Sequence, residues 1–395
     1  MSAPATIDLE DLGLESGGHL LVQRGLRDLP VGGRLSVRGQ DPALRTHLGA
    51  WCRSQGHGID LTGVTPVVVK GSASSARWHR AERAGRPDVN GVVPRADVRW
   101  GLAPRGALVE EGGPPLNVDL IDQDVVWADA ARQLYVNGAA RQWNPDTAIA
   151  WDAEFELPEE IETAVVQVMT YLIENEYAAL QIPAKFIGRL HPHYREVMQV
   201  LSVQVADEAR HVEVFTRRAL LRSSELGVSG AGGRASLQTL LDEPDFSLAA
   251  FLLSVLGEGS FLDLLSFIAR HAPDPVTREV ASLAQRDERR HVAFGMAHLK
   301  YAVEADRSML GRMRMAAERR HDALASTAGL NQDVFDSLIV LAAHSWSPAA
   351  ITDGWSAVQQ LQYDMDQGRQ RRLAQLGFPA DEATELSALH TRNFM

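Results

Sequence analysis

The chain has 395 residues, 45% of them hydrophobic and 23% charged, with a formal net charge of −12 at pH 7. That length suffices for two domains and a sizeable core, and the acidic balance argues against nucleic acid or an anionic membrane surface as the main partner. A single cysteine excludes an internal disulfide; with a polar, acidic N-terminus and no unbroken apolar run of spanning length, it fits a cytoplasmic protein with no membrane partner.

Residues 1–145 are frequent in Gly and Pro, and their helical periodicity is patchy. Between Leu12 and Gly71 the pattern predicts strand, helix, strand, helix, strand, with helices over 19–27 and 43–55 and strands over 34–38 and 64–70. Leu12-Gly13-Leu14, the stretch from Leu26 to Gly33, Gly39-Gln40-Asp41-Pro42-Ala43, Trp51-Cys52-Arg53 and Gly56-His57 together resemble the small TusA-like sulfur-carrier family. The resemblance implies an α/β domain over residues 1–71. Active carriers have Cys-Pro-x-Pro after the Leu-Gly-Leu, whereas Glu15-Ser16-Gly17-Gly18 stands here, so the persulfide-forming thiolate is absent. Cys52 is expected to be a packed, unreactive thiol. Such a domain would serve docking or shielding rather than sulfur transfer. Residues 72–145 read as a linker or wrapping segment with short strands and no assignable site.

The character changes at about residue 146, and residues 146–395 form the expected second domain. Asp207-Glu208-Ala209-Arg210-His211 and Asp287-Glu288-Arg289-Arg290-His291 are two copies of Asp-Glu-x-Arg-His. Each contains Glu-x-x-His, which sets a carboxylate and an imidazole one helical turn apart on one face. Glu176 lies 32 residues before Glu208, and Glu258 lies 30 before Glu288. Turns near His191-Pro192-His193 and His271-Ala272-Pro273-Asp274-Pro275 divide the region into two helical hairpins whose glutamates stand level, about 20 Å from each turn at the helical rise. Four helices, four glutamates and two histidines are the ligand set of a carboxylate-bridged two-metal site in a four-helix bundle. Glu176 is preferred to Glu174 because Val165, Met169, Leu172 and Glu176 share one apolar stripe, while Glu174 falls with Gln167, Thr170 and Gln181 on a face that reads as polar and outward. Asp207 and Asp287 have two readings: i,i+3 ion pairs with Arg210 and Arg290, or carboxylates that orient the histidines together with those arginines.

This arrangement resembles the ferritin-like diiron-carboxylate superfamily over residues 157–300, in particular its oxygen-activating oxygenases and oxidases. The implied fold class is mainly α: a ferritin-like four-helix bundle with additional C-terminal helices behind a small α/β domain. The resemblance also implies two Fe ions or a Mn/Fe pair, dioxygen as co-substrate, and a diiron-dependent oxidoreductase of the monooxygenase or oxidase type. Glu176, Glu208, His211, Glu258, Glu288 and His291 would hold the metals, and each Asp of the repeated motif would bond the opposite histidine. A small-molecule substrate, an electron donor and a homodimer are expected with it; a ferroxidase or iron-handling protein and a sulfur-metabolism adaptor are the alternatives. The segment from Trp143-Asn144-Pro145-Asp146 through Trp151-Asp152 is similar to a lead-in found in some members.

Further expectations follow from the helices themselves. Residues 221–244, with Gly227, Gly230, Gly232 and Gly233, read as a flexible crossover, and residues 309–326, 331–344 and 349–376 as further amphipathic helices. Pro183 should kink or widen the first ligand helix. Tyr177, Phe251, Phe261, Phe215 and Ile173 are candidate pocket residues beside the metals, while His298, His321 and His344 read as core residues rather than ligands.

Overall fold

Residues 5–72, 78, 80–325 and 332–391 are described by the computed structural model. They fall into two compact units, Met1–Val92 with Asp97–Leu116, and Val93–Ala96 with Asn117–Met395. The stretch expected as a linker is therefore shared between the units. Its residues 73–77 and 79 lie outside the described residues.

The first unit carries β1 (Ala5–Asp8), α1 (Gly18–Arg27), β2 (Arg34–Arg38), α2 (Leu44–Gln55), β3 (Gly58–Asp60) and β4 (Val67–Val69). They form one mixed sheet in the order β1-β2-β4-β3, with β1 parallel to β2 and the other pairs antiparallel. Alternation in β2 puts Leu35 and Val37 into a core with Val22 and Leu26 of α1, Leu48 and Cys52 of α2, and Val68 of β4. α2 ends where Gly56 takes φ +69°, a left-handed position that glycine occupies without strain. β3 was not expected; three residues are too few to show a periodicity. Further on, β5 (Glu82–Arg83) pairs antiparallel with β6 (Leu108–Val109).

The second unit is helical. Short helices α3 (Gln123–Val126), α4 (Ala131–Ala140) and α5 (Pro145–Ala148) lead into α6 (Glu159–Ile187) and α7 (Arg195–Ala219). After α8 (Ala231–Leu241) comes a continuous run of α9 (Phe246–Ala250), a π-helical segment (Phe251–Glu258) and α10 (Gly259–Arg270), then α11 (Pro275–Ala305). The four long members of the bundle are α6, α7, the α9–π–α10 run and α11. They turn at the predicted places. A short 3-10 turn at Pro192–Tyr194 precedes α7, and Asp274 caps α11 by accepting from the Thr277 N–H, with Pro275 in the first turn. α12 (Met309–Ala325), α13 (Gln332–Ala343), α14 (Pro348–Leu376) and α15 (Ala380–Thr391) follow. α13 and α14 close over the bundle, since Leu338, Leu341, Val358 and Leu361 share one core with Leu172 of α6 and Leu265 of α10. The expected helix ends at Ser326 and Asn331 lie outside the described residues; α15 was not anticipated.

Several expectations are corrected. The crossover is not simply flexible: Gly232 and Gly233 are buried inside α8. α6 runs unbroken through Pro183, and the widened turn lies instead in Phe251–Glu258, ending on a candidate ligand. The face of Gln167 and Thr170 is not outward. Both are buried, because Gln167 exchanges hydrogen bonds with the Val228 backbone and Thr170 accepts from the Gly227 N–H. Phe246–Arg270 is long and apolar enough to cross a membrane by composition (mean hydropathy 1.7), but 83% of that window is buried in the protein, as for a core helix.

One end of the bundle is tied by Arg218, fully buried on α7. It donates to Glu162 of α6 at 2.7 and 3.0 Å, to Asp274 at 2.7 Å and to Thr277 at 2.7 Å. Replacing Arg218 with Met would leave Asp274 buried without its counter-charge. The expected loss is about 3–5 kcal/mol of unfolding free energy in urea titration; a loss below about 1 kcal/mol would show that the network is not holding the helices. In the first unit, burial pushes the Cys52 thiol up to about 11, with Arg53 opposing. At pH 8 only about one thiol in a thousand is then ionised, against roughly a quarter for an ordinary cysteine. Native protein should react with a disulfide reagent at least 100-fold more slowly than urea-unfolded protein, and the rate should climb about tenfold per pH unit above 8. Equal rates would refute the packed-thiol assignment.

Candidate metal centre

Glu176 lies on α6, Glu208 and His211 on α7, Glu258 at the end of the π-helical segment, and Glu288 and His291 on α11. The structure brings all six together, and none is more than 5% exposed. Their ligating atoms form two overlapping groups: Glu176, Glu208, His211 and Glu288, and Glu208, Glu258, Glu288 and His291. Within each, every atom lies within 4.8 Å of the others. Glu208 and Glu288 belong to both groups, so each can give one oxygen to each of two cations. His211 Nδ1 stands 3.3 Å from Glu176, 3.1 Å from Glu208 and 3.2 Å from Glu288. His291 Nδ1 stands 3.0 Å from Glu208 and 3.2 Å from Glu288. Glu174, the rejected alternative, is only half-buried and outside both groups.

The aspartates stand behind the histidines, each on the copy opposite. Asp287 Oδ2 is 3.4 Å from His211 Nε2, and Asp207 Oδ2 is 3.1 Å from His291 Nε2. A carboxylate at Nε2 keeps the proton on that nitrogen and turns the Nδ1 lone pair into the cluster. The i,i+3 ion pairs exist too, but as parts of a buried lattice rather than as surface pairs. Arg210 donates to Asp207 at 2.5 Å and to Asp287 at 2.7 Å, and Arg290 donates to Asp207 at 2.9 Å and to Asp287 at 2.7 Å. Both aspartates have no exposed surface. Burial opposes their ionisation, but the facing histidine and its hydrogen bond outweigh it and hold each carboxyl below its ordinary range.

Three further side chains at the site were given no role from the sequence. Gln142 donates to Asp207 at 2.8 Å and accepts from Arg210. Trp143 donates its indole N–H to Asp287 at 2.7 Å and lies 4.6 Å under the Arg210 guanidinium. Both come from the stretch between α4 and α5; the likeness of the Trp143–Asp152 segment to a lead-in gave neither residue a role at the site. Gln204 donates to Glu258 Oε1 at 2.9 Å. It is four residues before Glu208 on the same face of α7, a spacing that could have flagged it.

The donor set fits two divalent cations. Four carboxylates oppose two ions of charge +2, and oxygen with imidazole ligation suits iron and manganese. Without cations such a cluster is strained electrostatically. Burial raises Glu176 and Glu258 well above the ordinary carboxyl range. Burial also opposes charging of the two histidines, but the glutamates around them prevail and raise both.

On one side the cluster meets a narrow cavity of about 30 Å³. Ala178 and Ala179 of α6, Leu237 and Leu240 of α8, and Leu253, Gly257 and Phe261 line it, together with Asn175, Glu176, Glu258 and Glu288. One water needs about 10–15 Å³ on this measure, so dioxygen fits and a larger molecule does not until a wall moves. Wider grooves, such as one of about 840 Å³ between Glu156 and Val228, do not reach the cluster. Of the expected pocket residues, Phe261 lines the cavity, while Phe251, Phe215 and Ile173 are buried outside its lining. Tyr177 is corrected: it is 51% exposed and points away. His298 is a satisfied core residue, bonded to Ser247 and to the Trp127 carbonyl, and burial lowers it to about 4. His321 and His344 also lie outside both ligand groups, but neither is a core residue: His321 is half-buried and His344 exposed.

No family model matches the chain, the carrier-like stretch included, and no curated protein matches it. Solved structures do. A variant of an R2-like ligand-binding oxidase with an aerobically reconstituted Fe/Fe cofactor is 18% identical, covers 63% of this chain and 94% of its own, and superposes with a TM-score of 0.50. A variant with an aerobically reconstituted Mn/Fe cofactor has 18% identity, coverage of 66% and 94%, and a TM-score of 0.44. The R2-like ligand-binding oxidase from Sulfolobus acidocaldarius has 14% identity, coverage of 64% and 93%, and a TM-score of 0.41. The first of these likenesses shows the fold. The helical unit is a ferritin-like bundle, and its buried carboxylate and histidine cluster could hold two metal ions.

If the aspartates set the histidine tautomers, Asp207→Asn and Asp287→Asn should each weaken metal binding about 10–100-fold, measured by competition with a chelator. Trp143→Phe, which removes one donor to Asp287, should have a smaller effect in the same direction. Unchanged affinity in both Asn variants would reduce the lattice to a purely structural role.

Proposed function

We propose that this chain is a dimetal-carboxylate oxidoreductase that uses dioxygen to oxidise a small apolar molecule by hydroxylation or N-oxygenation. The observation that carries the reading is the pair of overlapping four-residue groups sharing Glu208 and Glu288, beside an apolar cavity that Glu176, Glu258 and Glu288 help to line. Two iron ions, or one manganese and one iron, would supply the redox chemistry with dioxygen.

The protein's own groups have separable tasks. Glu176 with His211, and Glu258 with His291, would hold one ion each, and Glu208 and Glu288 would bridge. Asp287 and Asp207 keep the protons on the outer histidine nitrogens, and Arg210 and Arg290 neutralise those aspartates. Ala178, Ala179, Leu240 and Phe261 exclude water and select an apolar substrate, which must displace a wall of the cavity, of which Leu237 and Leu240 on α8 form one side. Hydroxylation by dioxygen consumes two electrons and two protons beyond the substrate's own bond, giving the product and water. An electron donor is therefore part of this proposal. The apolar lining of the cavity disfavours iron storage, in which hydrated iron ions would have to pass. The N-terminal unit would then be a docking element built on a carrier-type scaffold without its nucleophile.

Protein loaded anaerobically with ferrous iron should bind two ions per chain. Glu258→Ala should retain one, because Glu258 belongs to a single group, whereas Glu208→Ala with Glu288→Ala should retain none. Full occupancy in the double variant would sink the assignment. With an artificial reductant, loaded protein should take up dioxygen faster when small apolar compounds are added, and a rate independent of all such compounds would remove the oxygenase reading.

A further inference from the structure

Glu258 differs from the other three glutamates in the backbone that carries it. It ends an eight-residue π-helical segment, Phe251–Glu258, buried along its whole length. A π-turn places one extra residue in the helix, so resetting it to α register would rotate Glu258 by about 100° relative to the start of the run. The cluster thus requires the less common register, and something must hold it there.

The residue in position to do so is Arg372, on α14. The Gly259 N–H reaches back to Ser254 O, five residues away, and not to Val255 O, its α-helical acceptor four residues away. Arg372 Nε donates to that Val255 carbonyl at 2.8 Å. The guanidinium lies over Gly259: a Cβ there would stand 2.4 Å from Arg372 Nε and 2.5 Å from its Cζ. Only glycine leaves room for it, directly after Glu258. One turn along α14, Arg369 donates to Ser260 Oγ at 3.1 Å, and Ser260 in turn bonds Leu256 O. Nothing in the metal chemistry uses these arginines, yet both grip the residues flanking Glu258.

We propose that Arg372 is a positioning residue that fixes the π register of Phe251–Glu258, by taking the Val255 carbonyl and covering Gly259, and so aims Glu258 at its metal site. The inference rests on the dimetal reading for the role of Glu258, but not for the clamp itself. Loss of the clamp lets the Gly259 N–H return to Val255 O and swings Glu258 out. Because Glu258 belongs to the group with His291 and not to the group with His211, one of two metal sites is affected.

The test compares the full-length protein with Arg372→Met, Arg372→Lys and Gly259→Ala, in two measurements. Amide hydrogen exchange of metal-free protein reads the clamp alone. Exchange over residues 251–260 should rise tenfold or more in Arg372→Met and Gly259→Ala, with less change in α6 and α7. Lysine can reach the carbonyl but cannot cover the glycine, so Arg372→Lys should be intermediate. Anaerobic cobalt(II) titration reads the consequence: wild type should take two equivalents, and in Arg372→Met one of them should weaken about 10–100-fold while the other holds. If Arg372→Met does not fold, Arg372→Lys carries the same comparison. Unchanged exchange over 251–260 in the folded variants would overturn the proposal, as would exchange rising equally throughout the bundle. Raised local exchange with both cobalt equivalents intact would overturn its link to Glu258. A wild type that binds no cobalt would count against the dimetal reading and leave the exchange result to decide the clamp.

Discussion

Four glutamates, two histidines, two aspartates and two arginines lie within one bundle core, and the helical unit is organised around the cost of keeping them there. An unpaired buried charge costs several kcal/mol, so each must be matched nearby. The match comes in two layers. Outside, Asp207 and Asp287 share Arg210 and Arg290 in a lattice whose charges cancel without any added ion. Inside, the four glutamates have only two imidazoles against them. The outer lattice can therefore form during folding and fix the helix spacing, while the inner set keeps an affinity for cations. Arg218 applies the same rule at the end of the bundle, where Glu162 and Asp274 absorb its charge.

The two hairpins repeat in sequence, but the site they build is not symmetric, and its asymmetry makes it usable. Glu176 rides an ordinary α-helix, Glu258 a π-segment. Gln204 stands four residues before Glu208 and bonds Glu258, whereas Ala284, in the matching place on α11, has no polar group to offer. α8 contributes Leu237 and Leu240 to one wall of the cavity. Repetition supplies the ligands, and departures from it supply the cavity and the distinct setting of each ion.

What could be read from the sequence divides along the range of the interactions. The six cluster residues were legible because Glu-x-x-His and the matched offsets are local facts of helix geometry, and Glu176 could be told from Glu174 by its stripe. The turns at Pro192 and Asp274 were legible because their residues act within a few positions. Gln142, Trp143 and Arg372 were not. Each acts on a partner more than 60 residues away, as in Gln142 with Asp207 and Arg372 with Val255, and no local periodicity marks it. The misread face of Gln167 and Thr170 has the same cause. A polar helix face looks solvated until a glycine-containing crossover is found lying on it, offering backbone groups to bond. Pro183 misled in the other direction: it marks where a helix can widen, while the actual widening follows from tertiary contacts on α14.

The placement of these groups also gives the cluster a direction. Behind the histidines lie the Asp–Arg lattice, Gln142 and Trp143, joined by hydrogen bonds. In front, Glu176, Glu258 and Glu288 help to line the apolar cavity. A molecule that reaches the cluster through this cavity meets carboxylates, not imidazoles. Carboxylates suit that side because they can change from one-oxygen to two-oxygen binding by small rotations, whereas an imidazole held at Nε2 by an aspartate cannot move without breaking its hydrogen bond. Glu258 is held at one oxygen by Gln204. It is also the one of the four whose backbone needs an outside clamp. A hydrogen-bonded frame at the rear, carboxylates at the cavity and a register lock beside Glu258 form one arrangement, in which the C-terminal helices serve the cluster without contributing a ligand.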